Sequence, residues 1–129
     1  RIVQFLVAAL WYAFGIERIN FPLRSIRTMQ DLLLRGWSIV IYPEGTRSRT
    51  GKIAQFKGGL ALVAKKSGRP VVPVYVKGGL GVLPEATYIP HPGVISVSYG
   101  EPLHFHQDET SKEFMERVEA AVRYMANRE

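Results

Sequence analysis

Short runs of β-branched and aromatic residues alternate along this chain with segments of helical spacing, and this alternation limits most strongly how it can fold. The runs are 38–42, 71–76 and 94–99. Five or six consecutive residues rich in valine and isoleucine are typical of a buried strand. The alternation of such strands with helices predicts an α/β fold with a mostly parallel sheet flanked by helices.

Helical spacing is found in several segments around these runs. Apolar residues recur from Leu23 to Leu34, where Gly36 supplies a stop, and again from about Gly58 to Lys66. The sequence Thr110-Ser111-Lys112-Glu113 is a capping box that predicts the start of a helix. The stripe that docks this helix on the sheet consists of Phe114, Val118, Ala121, Val122 and Met125.

An apolar run near the first residue, from Ile2 to Ile16, is too short to cross a bilayer. It contains about fifteen residues, whereas a spanning helix needs about 20. The run predicts a core helix or a helix that lies on the bilayer interface, and the sequence leaves both open.

Length and composition bound the classes of protein that need to be considered. A chain of 129 residues with 47% apolar residues has material for one globular domain, which we place over residues 1–129. The sequence contains no cysteine, which excludes a disulfide framework, a thiolate zinc site and a cysteine nucleophile.

Positive charge is concentrated in the first half of the chain. Residues 1–69 carry twelve Lys and Arg against three Asp and Glu, whereas residues 70–129 carry five against eight. Such a bias suggests an anionic partner, which could be a phosphate ester, an anionic membrane surface or nucleic acid. No interleaving of aromatic and basic residues and no known nucleic-acid motif is present, so we expect no nucleic acid among the partners.

The loop that leaves the 38–42 run carries most of the chemistry. In Tyr42-Pro43-Glu44-Gly45-Thr46-Arg47-Ser48-Arg49, guanidinium groups and hydroxyls surround a glycine that allows close approach of a ligand. Arginine suits a phosphate because its planar fork donates two hydrogen bonds while it stays charged. An ordinary solvated loop with a local Glu–Arg pair is the alternative reading of the same residues.

A nucleotide-binding P-loop is excluded at this position. Five residues separate Gly45 from Gly51 where the pattern needs four, and Ile53 stands where a magnesium-binding hydroxyl is needed.

The loop and the residues after it resemble the glycerolipid acyltransferase family that includes the 1-acylglycerol-3-phosphate acyltransferases (PlsC-like). The family's FPEGTRS block is matched by Tyr42 to Ser48, with Tyr in place of Phe, and its F-x-x-G segment by Phe56 to Gly59. Its proline-containing valine strand is matched by Val71 to Val76, and its earlier arginine block by Ile16-Glu17-Arg18. The three later blocks, at 42–48, 56–59 and 71–76, follow one another with family-like spacing.

The resemblance implies a glycerol-phosphate-acyltransferase-like fold and an acyl transfer reaction of phospholipid biosynthesis. The donor would be acyl-CoA or acyl carrier protein, and the acceptor a hydroxyl of lysophosphatidate or a related glycerol phosphate. No cofactor and no metal would be needed, because a general base and electrostatic support of the oxyanion suffice.

The resemblance also implies roles for residues of the loop. Arg47 would bind the acceptor phosphate, with Arg18 as a second contributor. Glu44 would hold Arg47 or a glycerol hydroxyl, and Gly45 would admit the ligand. Thr46 and Ser48 would shape the loop. Lys57 and Arg49 are reserve phosphate contacts, and plain surface charge is the favoured reading of both.

The general base of the family, a His in an H-x4-D motif, has no match here. The histidines are His91, His104 and His106, and the residues five positions later are Ser96, Glu109 and Ser111. We therefore expect no catalytic residue in this chain, a dyad upstream of residue 1, an incomplete domain and no turnover from the chain alone. His104 and His106 could suggest a metal, but two histidines without a third ligand predict no site.

An alternative function is a non-catalytic module that binds lipid phosphate or a membrane surface. For either function we expect a location at the cytoplasmic face of a membrane, peripheral or anchored by segments outside this chain.

Overall fold

A computed structural model describes residues 23–46, 48, 50–84 and 89–128. The predicted first apolar helix, Arg18 and Arg47 lie outside these residues. None of the helices in the described ranges combines the length and the apolar character that crossing a bilayer requires.

Helix α1 covers Leu23–Leu34 and buries one apolar side, as its spacing predicts. Ile26 and Met29 are fully buried and cluster with Val63 of the next helix. The helix ends where Gly36 takes a φ of +84°, a left-handed conformation that favours glycine. The predicted helix and its glycine stop are thus confirmed.

Helix α2, Gly59–Ser67, lies between two hydrophobic clusters and joins them. Its Val63 packs against α1, whereas Ala61 and Ala64 pack against Phe114 and its neighbours on the last helix. Gly68 ends the helix in the left-handed conformation, and its N–H donates to the carbonyl of Ala64 at 2.9 Å.

A one-turn helix, α3, covers Gly79–Val82. The last helix, α4, covers Ser111–Arg128 and begins at the predicted capping box. The backbone N–H of Thr110 donates to a carboxylate oxygen of Glu113 at 2.7 Å, and the N–H of Glu113 donates to the Thr110 hydroxyl at 3.2 Å. Phe114 and Val118 of the predicted stripe are buried, and the centroids of the Phe114 and Phe105 rings lie 5.2 Å apart.

The described residues form one sheet, and its two strands are antiparallel. Strand β1, Val74–Lys77, pairs with β2, Ser96–Tyr99, and an isolated bridge joins Val71 to Leu103. Parallel strands are usually joined by a crossover helix, and among the described residues of the connection 78–95 only the one turn of α3 is helical. The α/β composition is confirmed, whereas the predicted parallel arrangement is wrong for this pair.

Proline in the second predicted strand interrupts its ladder, as expected for an edge or a bulge. Pro73 falls between the Val71 bridge and β1, where it offers no N–H donor, while its carbonyl accepts from Gly100 at 2.9 Å.

The segment 38–42 belongs to no ladder within the described residues, and it is only partly buried, so the predicted buried strand is not found there. Ile39 and Ile41 pack on the cluster of Ile26 and Met29. Val40 and Tyr42 point the other way and are 81% and 76% exposed. Burial therefore alternates along 38–42, with one side of the segment partly buried and the other exposed. The loop that begins at residue 43 follows directly.

Candidate functional site

Residues 43–57 form a loop whose two ends are hydrogen-bonded to each other. The N–H of Lys57 donates to the carbonyl of Pro43 at 2.9 Å. At the entry, the N–H of Gly45 donates to the carbonyl of Tyr42 at 3.0 Å and closes a tight turn. Short-range bonds at both ends make this segment, called the 43–57 loop below, a compact surface loop of the kind that often carries function.

Glu44 ties the two limbs of this loop together. One of its carboxylate oxygens accepts a hydrogen bond from the backbone N–H of Ala54 at 2.8 Å. A charged acceptor on a backbone amide makes a stronger bond than a neutral one. The carboxylate therefore has a structural partner here, and the role predicted for it toward Arg47 or a glycerol hydroxyl stays a prediction.

Gly45 is needed both for its backbone conformation and for the space beside it. Its φ is +73°, and a Cβ added there would lie 2.9 Å from the Nζ atom of Lys57. The ammonium group of Lys57 is thus folded back over the entry of the loop. A cation beside a half-buried glycine that carries no side chain is an arrangement that an anionic oxygen can approach.

The hydroxyl residues shape the tip of the loop. The Ser48 hydroxyl donates to the carbonyl of Lys52 at 2.9 Å, and the N–H of Lys52 donates to the Thr50 hydroxyl at 3.4 Å. Thr46 is exposed next to Gly45. The structure therefore brings together Glu44, Gly45, Thr46 and Ser48 of the predicted site, whereas Arg18, Arg47 and Arg49 lie outside the described residues.

Two residues of α4, which the sequence did not suggest, hold the far limb of the loop. Glu119 accepts a hydrogen bond from the N–H of Phe56 at 3.1 Å, and Arg123 donates to the carbonyl of Ile53 at 3.1 Å. The two side chains also pair with each other at 2.8 Å. The bond from Phe56, followed by contact with Arg123, holds the pKa of Glu119 below its ordinary value in spite of desolvation.

A cleft of about 290 Å³ lies where this limb meets the first half of α4. It is open to solvent beside Phe56, so a ligand bound there would contact both the loop and the helix. Its lining consists of Gln55, Phe56, Gly58, Ser111, Lys112, Met115, Glu116 and Glu119.

The backbone groups of His104 and His106 take part in local hydrogen bonds. The backbone N–H of His106 donates to Glu109 at 2.8 Å, and both oxygens of Glu109 accept from Arg117 at 2.8 Å. The nearest approach to the H-x4-D pattern, His104 with Glu109, thus has its acid bound to Arg117. Within 23–46, 48, 50–84 and 89–128, no group of three His, Asp or Glu residues is placed to hold a metal ion.

Comparison with known proteins gives consistent results. The family model described as Acyltransferase matches residues 5–77, a range that includes the whole 43–57 loop and β1. A chloroplastic 1-acyl-sn-glycerol-3-phosphate acyltransferase of Arabidopsis thaliana is 35% identical over 80 residues, covering 61% of this chain and 22% of that protein. The 1-acyl-sn-glycerol-3-phosphate acyltransferase of Pseudomonas aeruginosa is 34% identical over 74 residues, covering 57% of this chain and 28% of that protein.

A solved structure shares the fold. The crystal structure of the 1-acyl-sn-glycerophosphate acyltransferase PlsC from Thermotoga maritima superposes with a TM-score of 0.76 and 29% identity. The match covers 82% of this chain and 44% of that one. The chain therefore spans less than half of the solved relative, and about a fifth to a quarter of the two curated relatives above.

Proposed function

Because this chain belongs to the Acyltransferase family, we propose that it is the part of a phospholipid-synthesising enzyme that binds the phosphate of the acyl acceptor. The reaction would move a fatty acyl group from acyl-CoA or acyl carrier protein to a hydroxyl of lysophosphatidate or a related glycerol phosphate. The relatives' names, which specify 1-acyl-sn-glycerol-3-phosphate acyltransferases, support this class of acceptor.

The observation that carries the proposal is the Lys57 ammonium folded over Gly45 inside the family-matched range. Glu44 and Pro43 close the loop by hydrogen bonds to Ala54 and Lys57, so the cation is presented by a pre-formed loop. We propose that Lys57, together with Arg47 of the same loop, neutralises the phosphate. Arg18 would add a further guanidinium, as the family resemblance implies.

Binding the phosphate at this loop would fix where the acceptor hydroxyl lies. In the proposed reaction the hydroxyl loses its proton to a base, its oxygen attacks the thioester carbonyl, and the thiolate leaves. Holding the acceptor in one orientation lowers the barrier because the attack becomes effectively intramolecular. No histidine of this chain stands in the H-x4-D pattern, so we propose that the base and its Asp come from outside residues 1–129.

The direct test measures the acceptor kinetics of the complete protein, with thiol release from acyl-CoA as the readout. Arg47→Ala should raise the KM for glycerol 3-phosphate or lysophosphatidate at least about tenfold, as expected for loss of a charge-assisted hydrogen bond, and leave the donor KM unchanged. Arg27→Ala, which removes an exposed charge from α1, is the matched control. An unchanged acceptor KM in Arg47→Ala would contradict the assignment.

The absence of the H-x4-D pattern from these residues also supports a second candidate, a non-catalytic module that binds lipid phosphate at a membrane surface. Such a module would bind vesicles containing phosphatidate but release no thiol. The enzyme proposal predicts release that depends on the acceptor. For both candidates we propose a location at the cytoplasmic face of a membrane, peripheral or anchored by segments outside residues 1–129.

A further inference from the structure

We propose that Glu119 and Arg123 of α4 are positioning residues that set the conformation of the 43–57 loop and thereby the affinity for the acceptor phosphate. This inference rests on the proposed function, because it assigns a task to residues outside the predicted phosphate site. Both residues lie beyond the range matched by the family model, which ends at residue 77.

The geometry is that of a clamp on three consecutive peptide groups. The N–H of Phe56 donates to Oε2 of Glu119 at 3.1 Å, and the carbonyl of Ile53 accepts from Nη2 of Arg123 at 3.1 Å. Nε of Arg123 donates to Oε1 of Glu119 at 2.9 Å. Within this ion pair, Glu119 therefore holds the Phe56 end of the 53–56 segment and Arg123 holds the Ile53 end.

The clamp connects directly to the groups at the predicted phosphate site. Between its two contact points lies Ala54, whose N–H is bonded to Glu44. Immediately after it comes Lys57, whose N–H is bonded to Pro43 and whose ammonium lies over Gly45. A shift of the 53–56 segment would therefore move the anchor of Glu44 and the cation at once.

The surroundings favour a fixed position over a mobile one. Phe56 packs against the cluster that contains Phe114 and Met115, so the clamped segment rests on the core of the fold. The side chain of Glu119 is only 24% exposed, which lessens screening of its bonds by solvent.

Two other ion pairs of α4 do not include Glu119 or Arg123, and one of them provides a control for the loss of an ion pair on this helix. Lys112 and Glu116 pair with each other at 3.8 Å, and both side chains are well exposed. Arg117 binds Glu109 and the carbonyl of His104, which belong to the segment that precedes α4. Lys112 and Glu116 line the cleft beside Gln55 and Phe56 of the loop. The hydrogen-bond partners of Arg117 lie instead in the segment before α4, so loss of the Glu109–Arg117 pair should affect the helix without moving the proposed site.

The experiment compares Glu119→Ala, Glu119→Gln and Arg123→Lys with the control Glu109→Ala, which breaks the other ion pair of a little-exposed carboxylate with α4, in the complete protein. The measurements are the KM for glycerol 3-phosphate, the KM for acyl-CoA, kcat, and hydrogen exchange of the peptide that contains 53–57. Glu119→Ala should raise the acceptor KM about tenfold, as for a displaced binding group, and leave the donor KM unchanged. Exchange at 53–57 should become faster in the same variant.

The conservative variants separate positioning from a general loss of stability. Glutamine at 119 keeps an oxygen that can accept from Phe56 but loses the ion pair, so its acceptor KM should fall between those of the wild type and Glu119→Ala. Lysine at 123 can reach only one of the two partners that the guanidinium contacts, and it should also be intermediate. These variants keep the test valid if Glu119→Ala does not fold.

The possible outcomes are distinguishable. An unchanged acceptor KM in all three variants of an active protein overturns the inference, whatever the exchange shows. An equal rise of both KM values, or a matching rise in Glu109→Ala, overturns it as well, since that is a general effect. A wild type that neither releases thiol nor binds glycerol 3-phosphate overturns the proposed function, and the inference falls with it.

Discussion

The ammonium nitrogen of Lys57 lies beside the backbone of Gly45, 2.9 Å from the point that a Cβ atom would occupy there. The two residues stand at opposite ends of the 43–57 loop, and their proximity depends on the hydrogen bond from Lys57 to Pro43. An added methyl group at residue 45 would displace the cation as well as strain the backbone.

We therefore predict that Gly45→Ala affects stability and phosphate affinity together. A non-glycine residue in the left-handed region costs about 1–2 kcal/mol, so the free energy of unfolding should fall by that amount. The acceptor KM should rise because Lys57 has to move. Gly36→Ala is the matched control, since Gly36 has a φ of +84° and open space around it. Urea unfolding and acceptor kinetics should show equal strain in both variants but a raised KM only in Gly45→Ala.

Removal of the Lys57 ammonium should reduce the affinity for the acceptor more than it reduces the stability of the fold. A hydrogen bond to a charged group contributes about 1.5–3 kcal/mol, so Lys57→Ala should weaken binding of glycerol 3-phosphate about tenfold to a hundredfold. Lys52→Ala removes the same charge from an exposed position in the same loop and corrects for the general electrostatic field. Equal losses of affinity in the two variants, measured by calorimetric titration, would contradict a specific role for Lys57.

The elements governed by local pattern were predictable from the sequence. Helix α1 with its stop at Gly36, helix α2, and the capping box before α4 depend on residues three or four positions apart. Strand β2 also falls within the predicted run. For these elements the pattern of side chains directly encodes the geometry.

Relationships between distant segments were not predictable in this way. Glu119 and Phe56 are 63 positions apart, and nothing in either local pattern indicates their contact. The direction of β1 relative to β2 depends on how residues 78–95 return, which strand composition does not specify. For 38–42, a continuous run of β-branched and aromatic residues predicted a buried strand, but a ladder also requires a neighbouring strand whose backbone groups can pair with it.

The capping box should contribute measurably to stability. Thr110→Ala removes the hydroxyl that accepts from the N–H of Glu113, and loss of such a cap costs about 1 kcal/mol. Thr28→Ala is the control, because the Thr28 hydroxyl lies within α1 and donates to the carbonyl of Arg24 at 3.1 Å. Alanine is the better helix former at an interior position, so Thr28→Ala should leave stability unchanged or raise it. Thermal unfolding with a similar melting temperature for Thr110→Ala and the wild type would contradict the prediction.

The clamp should make the protein sensitive to acid. The bond from Phe56, helped by Arg123, holds the pKa of Glu119 below its ordinary value of 4.5, so the folded state favours the ionised carboxylate. The stability that this carboxylate contributes is therefore fully present above the pKa of the unfolded chain. It is lost as the pH falls through the lower pKa of the folded state.

Glu119→Gln should accordingly be less stable than the wild type at neutral pH, and the difference should shrink as the pH falls below the ordinary pKa of 4.5 and through the lower pKa of the folded state. Glu116→Gln on the same helix corrects for the change in net charge. Urea unfolding at a series of pH values measures the difference for both variants. A gap between Glu119→Gln and the wild type that stays constant from neutral to acidic pH would show that the ionised form of Glu119 does not hold the 53–56 segment.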